Sequence, residues 1–224
     1  MVVDFAKINV NEQPMLILQN LDDTPIGVLR LAFNVVAELC YNEVSTLTFD
    51  LPGIVNGVKT PNYDKVTGMR IIDLKNYGRF ILVDPSVSDD GVELMKSCTA
   101  YSLEYEFTFK KLPLTEGTYN LWNPIAPKGT ILGLITELMP SWKVGSVDST
   151  LIDKYRTFDD SSDQNIYNFM KSDLQESYGC IFYFDTYKRL IHVRDVMNDA
   201  PISPVYFSVE NLVKDVKVSE DTES

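Results

Sequence analysis

Apolar and polar side chains alternate over residues 44–51, and this is the clearest secondary-structure signal in the chain. One face carries Val44, Thr46, Thr48 and Asp50, and the other carries Ser45, Leu47, Phe49 and Leu51. A period of two with β-branched and aromatic residues predicts a strand, and Pro52-Gly53 is expected to end it. A shorter apolar run at residues 15–18 is followed by a turn-rich segment at residues 20–25.

Further strands are predicted between residues 70 and 112. Segments 70–74 and 79–83 flank Lys75-Asn76-Tyr77-Gly78, in which Asn and Gly tolerate positive φ, so we expect a hairpin. Residues 97–112 form the longest predicted strand, because every second position in its centre is apolar or aromatic: Tyr101, Leu103, Tyr105, Phe107 and Phe109. Glu104 and Glu106 fall on the opposite face of this predicted strand.

Residues 28–39 fit two interpretations. Their apolar positions follow the spacing of one helix face: Val28, Leu31, Ala32, Val35, Val36 and Leu39. The same segment also fits a long bent strand that leads into residues 41–51. Periodicity alone favours the helix.

The second half of the chain mixes helices and strands. Residues 130–139 have a helical apolar face and are followed by Pro140, and a short strand is expected over 142–147. A second helix is predicted over 163–176, with Ser161 and Gln164 at capping-box spacing and Gly179 as its C-cap. Segments 180–184 and 189–194 then predict a hairpin, and strands are expected over 205–209 and 213–218.

These elements predict an α+β fold that is mainly β. Three prolines mark the expected boundary between the two halves: Pro113, Pro124 and Pro127. We predict a β domain over residues 1–112 and an α+β insertion over residues 113–199. Residues 200–224 are expected to contribute strands that return toward the first domain.

The charge of the chain excludes several kinds of protein. Its 224 residues include 20 basic and 32 acidic side chains, for a net charge of −12, and 45% of its residues are hydrophobic. This apolar content is too high for a disordered chain. The negative charge argues against nucleic-acid binding and against an anionic membrane surface. No apolar run approaches the roughly 20 residues of a membrane span, so no membrane insertion is expected.

No pattern of metal ligands is evident. His192 is the single histidine, and the three cysteines, Cys40, Cys98 and Cys180, are too far apart for a CxxC motif. An acidic group at Asp159, Asp160 and Asp163 lacks the glycine and the terminal glutamate of an EF-hand loop. A helix cap and a solvated turn are the expected roles of these aspartates, and we predict no metal and no cofactor.

Candidates for catalysis and ligand binding are also weak. A serine or cysteine nucleophile would need His192 as its base, and Glu104 and Glu106 share a predicted strand face at the spacing of a carboxylate pair. Pro127-Lys128-Gly129-Thr130 stands at a helix start but lacks the spacing of a phosphate loop. The aromatic row at residues 101–109 has the spacing of a core-facing strand. The residues therefore predict no catalytic site, and a structural or interaction protein is the expected class.

An ordered series of short motifs resembles a known family. Residues 41–52 (YNEVSTLTFDLP) are similar to the N-terminal signature of phage tail-associated proteins, the "prophage endopeptidase tail" family. Further matching segments follow in the expected order: 78–82, 98–106, 142–147, 156–158, 165–169, 180–186 and 208–214. The resemblance covers most of the chain.

The resemblance implies a fold similar to the central hub of contractile-phage baseplates, a β-barrel-like domain with an α+β insertion. It also implies strand rather than helix for residues 32–51. Such proteins assemble as trimers around the tail axis, where they join the distal tail protein and tail tube to a tip fibre or lytic module. The implied location is the tail of a virion assembled in the cytoplasm of the bacterial host. Because these proteins continue into further domains, this chain is expected to be an N-terminal fragment without catalytic activity of its own.

Three further hypotheses follow from this resemblance. Carboxylates that face the lumen of a tail would repel passing DNA, which gives the charge of −12 a function. One alternative is that the chain is part of a tail-associated peptidoglycan endopeptidase. Another is a module that binds carbohydrate of the host cell wall through exposed aromatic residues such as Tyr119, Trp122 or Tyr187.

Overall fold

A seven-stranded antiparallel sheet forms the first half of the chain in the computed structural model, which describes residues 15–89, 94–113, 116–159 and 163–197. Its strands are β1 (Leu16–Gln19), β2 (Pro25–Val28), β3 (Phe33–Glu38), β4 (Thr46–Pro52), β7 (Arg70–Leu74), β8 (Gly78–Asp89) and β9 (Leu94–Ser102). The strand order is β2-β1-β7-β8-β9-β4-β3. A small hairpin of β5 (Ile54–Val55) and β6 (Val58–Lys59) projects beyond β4, and a 3₁₀ turn covers Tyr63–Lys65. We call this part of the chain the sheet unit.

The sheet curls strongly because its two edge strands follow one another in sequence. β2 and β3 lie at opposite edges but are joined only by residues 29–32. Six interstrand spacings in a flat sheet would separate them by about 29 Å, whereas five Cα steps reach about 18 Å at most. No ladder joins β2 to β3 among the described residues, so the predicted barrel-like domain is a curled, open sheet and not a closed barrel.

The strand over residues 44–51 is confirmed as β4. Leu47, Phe49 and Leu51 are buried on the inner face of the curled sheet, as the alternation predicts. The core on that face also contains Leu16, Leu18, Leu29, Tyr63, Val66, Ile72, Leu74, Phe80, Leu82, Cys98 and Ala100. The predicted hairpin at residues 75–78 is also confirmed, with Asn76 and Gly78 at positive φ.

Residues 33–38 form a strand, so the helix favoured by periodicity over residues 28–39 is wrong. β3 pairs with β4 in antiparallel register, and the two residues that face the core, Ala32 and Val35, flank a β-bulge. The bulge adds one residue to the strand. It therefore produces the three-residue spacing that resembles a helix.

The single long strand predicted over residues 97–112 is wrong in its second half. β9 ends at Ser102, and Leu103–Phe109 form a 3₁₀ segment. Tyr101, Tyr105 and Phe109 pack on one another there, with ring centroids 4.6 and 5.5 Å apart, while Leu103 and Phe107 are buried in a second core. Residues four apart share a face in both a strand and a helical turn. The aromatic spacing therefore fits both structures.

The second half of the chain packs against the outer face of the sheet. It contains β10 (Gly117–Asn120), α1 (Ile131–Leu138), β11 (Lys143–Val147), a 3₁₀ turn (Ser149–Leu151), β12 (Tyr155–Phe158), β13 (Cys180–Asp185) and β14 (Leu190–Asp195). One continuous helical region comprises α2 (Ile166–Phe169), a π-helical stretch (Met170–Leu174) and α3 (Gln175–Tyr178). We call this part the α+β unit.

The α+β unit has a mixed three-stranded sheet of order β11-β14-β13, in which β11 runs parallel to β14, and a separate β10-β12 pair. Its core contains Trp142, Phe158, Phe169, Met170, Tyr178 and Phe182. Ile71 and Ile81 from the central strands of the sheet unit join the same core. β7 and β8 are therefore covered on both faces, which binds the two units together.

The predicted helix ends are confirmed at the start of α1 and at the end of α3. Thr130 caps α1, where its hydroxyl accepts the N–H of Gly133 at 3.1 Å, and Gly179 ends α3 at φ 63°. The predicted cap Ser161 lies outside the described residues, and Asn165 is the N-cap of α2 and accepts the N–H of Asn168 at 2.8 Å. The strands predicted over 205–209 and 213–218 lie outside the described residues, and the domain division at residue 112 stays a prediction.

Candidate functional site at the junction of the two units

A buried ion pair joins the 3₁₀ segment to the α+β unit. Arg189 Nη1 donates to Glu106 Oε2 at 2.7 Å, and the indole N–H of Trp142 donates to the same oxygen at 2.9 Å. Both charged side chains are nearly inaccessible, with exposed fractions of 8% for Arg189 and 11% for Glu106. Because Glu106 is occupied by two donors, it holds the units together and does not face an open cleft.

Asp23 extends this network into the sheet unit. Its carboxylate accepts from Arg189 Nη2 at 3.3 Å and pairs with Arg79 Nη1 at 3.1 Å. The Asp22-Asp23 pair is a turn, as the sequence indicates, with Asp22 Oδ1 accepting the N–H of Thr24 at 3.1 Å. The bridging role of Asp23 depends on the docking of the α+β unit and has no local sequence signal.

A second polar cluster lies around Glu104. Ser102 Oγ donates to Glu104 Oε1 at 2.6 Å, and Glu104 is only 7% exposed. Burial, the largest cause, raises the pKa of this carboxyl, while the Ser102 hydrogen bond and the Lys171 charge oppose that shift. Burial likewise lowers the pKa of Lys171 to about 8, against the opposing charges of Glu104 and Glu43.

Lys171 fastens the β3–β4 loop to the helical region. Its Nζ donates to both the backbone oxygen and Oδ1 of Asn42, each at 2.7 Å. Gln175 Nε2 donates to the same Oδ1 at 2.8 Å, and Asn42 holds the left-handed conformation with φ 60°. No sequence pattern singles out Lys171 or Arg189, since a basic residue on a helix or beside a turn is exposed in most proteins.

Glu104 and Glu106 therefore do not form the carboxylate pair that the sequence offered. They belong to a 3₁₀ segment, and their hydrogen bonds go to different partners on opposite sides of the junction. Glu106 bonds to the α+β unit, whereas the hydrogen bond of Glu104 stays within the sheet unit, at Ser102.

His192 lies on the solvent-facing side of the three-stranded sheet, next to Ser146. The Ser146 backbone N–H donates to Nδ1 at 3.0 Å, and its hydroxyl oxygen lies 2.7 Å from the same nitrogen. Since a backbone N–H only donates, Nδ1 is the acceptor and the neutral ring carries its proton on Nε2. No carboxylate of the described residues contacts this imidazole, which caps the irregularity between Val144 and Val147 of β11.

The remaining candidates for chemistry are dispersed. Cys98 and Cys180 are buried in different cores, and burial raises the pKa of each thiol to about 12, whereas Cys40 is half-buried. Asp159 and Asp163 are exposed, and Asp160 lies outside the described residues. Among the described residues no three His, Cys, Asp or Glu side chains are grouped to hold a metal ion. The start of α1, at Lys128-Gly129-Thr130, is capped by its own threonine.

The aromatic residues offered for carbohydrate binding are structural. Tyr119 and Trp122 pack against the core of the α+β unit. The Tyr187 hydroxyl lies 3.2 Å from Leu74 O and 3.3 Å from Asp73 Oδ1, so its single proton is shared between these two acceptors, and its ring lies under Arg79. In the described parts of the chain, no helix is both long enough and apolar enough to cross a bilayer.

The outer side of β3 is an exposed, partly apolar edge. Only β4 pairs with β3 among the described residues, and Val36, Leu39 and Tyr41 are 60%, 53% and 82% exposed. Natural proteins usually protect such edges with charge, proline or a covering element. β3 carries a β-bulge and the charged Glu38 but leaves Val36 exposed, and an exposed apolar side chain on an open edge suits a surface that pairs with another chain.

Two solved structures share this fold. One is the prophage tail protein gp18 from Listeria monocytogenes, with a TM-score of 0.60, 11% sequence identity, and coverage of 81% of this chain and 50% of gp18. The other is the 43 kDa tail protein of prophage MuSo2 from Shewanella oneidensis, with a TM-score of 0.53, 10% identity, and coverage of 82% and 56%. This chain thus spans about half the length of these proteins.

Sequence comparison gives no match: no protein-family model and no curated protein sequence matches the chain. The likeness is therefore one of fold. The resemblance to phage tail-associated proteins inferred from the ordered motifs is confirmed at that level: this chain has the fold of prophage tail proteins.

Proposed function

We propose that this chain is a non-enzymatic structural component of a phage or prophage tail tip, within the baseplate hub. In this role three copies surround the tail axis and join the distal tail protein and tail tube to a tip fibre or lytic module. The observation that carries the proposal is the fold, which is shared over about four fifths of the chain with a prophage tail protein.

The exposed edge of β3 supports an assembly role. A ring of identical subunits forms through heterologous contacts, in which one surface of each copy meets a different surface of the next. Strand β3 offers main-chain hydrogen-bonding groups on one side, and Val36, Leu39 and Tyr41 beside them. These features suit pairing with a strand or an apolar surface of another subunit.

The junction between the units supports a load-transmitting role rather than a catalytic one. Arg189, Glu106 and Asp23 form a buried, hydrogen-bonded network that fixes the α+β unit on the outer face of the curled sheet. Two units held in one orientation suit a component that positions other proteins. Of the two carboxylates that a glycosidase would need, Glu106 is occupied within this network by Arg189 and Trp142.

The net charge of −12 supports the proposed position around the tail axis. DNA passes through the tail and must not be retained on its wall. Carboxylates that face the lumen would repel phosphates, and no basic cluster in the sequence would hold them.

Inactivation of the gene in its own phage or prophage tests the proposal. We expect induced particles whose tails lack a normal tip, and restoration of normal tails by the native gene in trans. Complementation with Val36→Lys, which places a charge on the β3 edge, is expected to fail. Val58→Lys is the matched control, because Val58 is equally exposed but lies on the β5–β6 hairpin. Particles with normal, infective tails in the absence of the gene would overturn the proposal.

A further inference from the structure

A half-open cavity of about 220 Å³ lies at the junction of the two units. Three segments form its walls: the β3–β4 loop, the β7–β8 turn and strand β13. A cavity of about 150 Å³ is already large enough for a six-membered ring such as benzene. The cavity therefore has room for one ring-sized group, and it opens to solvent so that such a group can enter.

The floor of the cavity contains a polar atom without a partner. Glu104 lines the cavity and is only 7% exposed. Its Oε1 accepts from Ser102, but its buried Oε2 has no hydrogen-bond partner in the protein. Leaving a buried acceptor unsatisfied costs about 1–3 kcal/mol, so a ligand that donates a hydrogen bond to this oxygen would be stabilised.

A hydrogen-bond donor also lines the cavity. Lys171 lines the cavity and interacts with the Glu104 charge through space, but the two side chains form no direct ion pair. Two of its three ammonium protons are engaged by Asn42. A group that both donates and accepts hydrogen bonds, such as a hydroxyl, can bridge the ammonium and the carboxylate.

The rim of the cavity is aromatic. Tyr77 and Tyr183 line it from opposite units, and their exposed fractions are 46% and 51%. Exposed aromatic rings beside a pocket with a few convergent polar groups are a common arrangement for binding a small ligand. Aromatic rings together with hydrogen-bonding groups match a ligand with C–H faces and hydroxyl edges.

The charges of the cavity favour a neutral ligand. Its two acidic side chains, Glu43 and Glu104, are balanced by two basic ones, Arg79 and Lys171. Arg79 is in addition paired with Asp23. Neither an anion nor a cation would therefore gain a net attraction on entering.

We propose that this cavity binds one neutral sugar residue of pyranose size. The rings of Tyr77 and Tyr183 pack on the C–H faces of the sugar, and its hydroxyls bridge Glu104 Oε2 and the Lys171 ammonium. This activity goes beyond the structural role in the tail and does not depend on it. The binding residues also differ from Tyr119, Trp122 and Tyr187, which are engaged in packing and in hydrogen bonds within the protein.

Saturation-transfer NMR and titration calorimetry on the full chain test the proposal with a named panel of sugars. The panel comprises the methyl α- and β-glycosides of glucose, galactose, N-acetylglucosamine and rhamnose, together with the corresponding free sugars. We expect saturable binding of at least one of them with a Kd on the order of 1 mM, as the size of the ligand allows. Binding of a methyl glycoside identifies a glycan residue as the ligand class, and binding of the free sugar alone identifies a reducing monosaccharide.

Variants at the rim and the floor make the assignment specific. Tyr183→Ala is expected to weaken binding about tenfold, the size of one lost stacking contact, and Glu104→Gln is expected to weaken it by removing the anionic acceptor. Tyr155→Ala is the matched control, because Tyr155 is 54% exposed but lies on β12, outside the cavity. Unfolding midpoints of all three variants establish that each is folded.

A second measurement uses a thiol in the cavity wall. Cys40 lines the cavity, so a bound sugar is expected to slow its reaction with a thiol reagent. The proposal is overturned if no sugar of the panel binds saturably, if Tyr183→Ala binds as tightly as the native chain, or if only guanidinium or amine cations bind. Assembly of tails is measured without added sugar. A negative result for sugar binding therefore does not bear on the proposed tail function.

Discussion

Arg189 Nη1 lies 2.7 Å from Glu106 Oε2, in a contact between residues 83 positions apart in the chain. Glu106 belongs to the 3₁₀ segment that follows the last strand of the sheet unit, and Arg189 stands at the start of the last strand of the α+β unit. The same guanidinium reaches Asp23 in the sheet unit at 3.3 Å. One buried arginine therefore connects three separate segments and fixes the orientation of the two units.

Glu106→Ala is expected to destabilise the fold by about 3–5 kcal/mol, because it leaves Arg189 buried without its main counter-charge. Glu106→Gln keeps an acceptor for Arg189 and Trp142, so it should lower the free energy of unfolding by less than Glu106→Ala does. Urea unfolding, monitored by the fluorescence of the two tryptophans, measures both variants.

The exposed pair Lys59–Asp64 provides the control for this prediction. Both side chains are largely solvated, so Asp64→Ala should change the free energy of unfolding by about 1 kcal/mol or less. Equal effects of Glu106→Ala and Asp64→Ala would show that the junction pair does not hold the units together.

Glu104→Gln is expected to gain stability relative to the native chain as the pH rises from about 4.5. Burial raises the pKa of Glu104 above its ordinary value of 4.5, so the folded chain holds this proton more tightly than the unfolded chain. The favourable contribution of Glu104 is fully present below pH 4.5 and is lost as the pH rises through the folded pKa. Gln does not titrate and keeps an acceptor for Ser102.

Denaturation midpoints of the native chain and Glu104→Gln across this pH range give the difference directly. Glu38→Gln, the same substitution at the exposed end of β3, is measured alongside as the matched control. A stability difference between Glu104→Gln and the native chain that stays constant with pH would contradict the raised pKa.

One of the three cysteines is expected to react rapidly with Ellman's reagent at pH 8. Burial raises the pKa of Cys98 and Cys180 to about 12, so their thiolates are scarce as well as inaccessible, while Cys40 is half-buried. Denatured protein should release three equivalents of the chromophore. Persistence of the rapid phase in Cys40→Ser would assign it to another thiol and contradict the prediction.

Gly145→Ala is expected to lower the free energy of unfolding by about 1–3 kcal/mol, because the added methyl group overpacks against His192. A Cβ at position 145 would lie 2.6 Å from Cε1 of the imidazole. The double variant Gly145→Ala/His192→Ala should recover much of that cost, since the ring that clashes is gone. A double-mutant cycle of unfolding free energies measures this coupling, and strict additivity of the two changes would exclude the contact.

The sequence predicts well those elements whose secondary structure is determined by a single local pattern of residues. Residues 44–51 alternate strictly and face a single core, and Thr130 and Gly179 carry the chemistry of helix caps. The strand prediction for residues 97–112 is wrong in its second half because the spacing of Tyr101, Tyr105 and Phe109 fits both a strand and a helical turn. Periodicity cannot choose between two structures that place the same residues on the same face.

The junction could not be predicted because its partners meet only through tertiary packing. Arg189, Lys171 and Asn42 carry no pattern that differs from ordinary surface residues. Glu104 and Glu106 stand out as a pair within an apolar stretch, but the sequence does not show that Glu106 bonds to the α+β unit while Glu104 bonds to Ser102. The direction of each side chain follows from the docking of that unit on the curled sheet.

An electron cryomicroscopy map of the intact tail tip tests the central proposal most directly. We predict three copies of this chain around the tail axis, with Val36 of β3 and Tyr41 of the β3–β4 loop covered by a neighbouring subunit. A tail tip without this chain, or one in which the β3 edge of every copy faces solvent, would contradict the account.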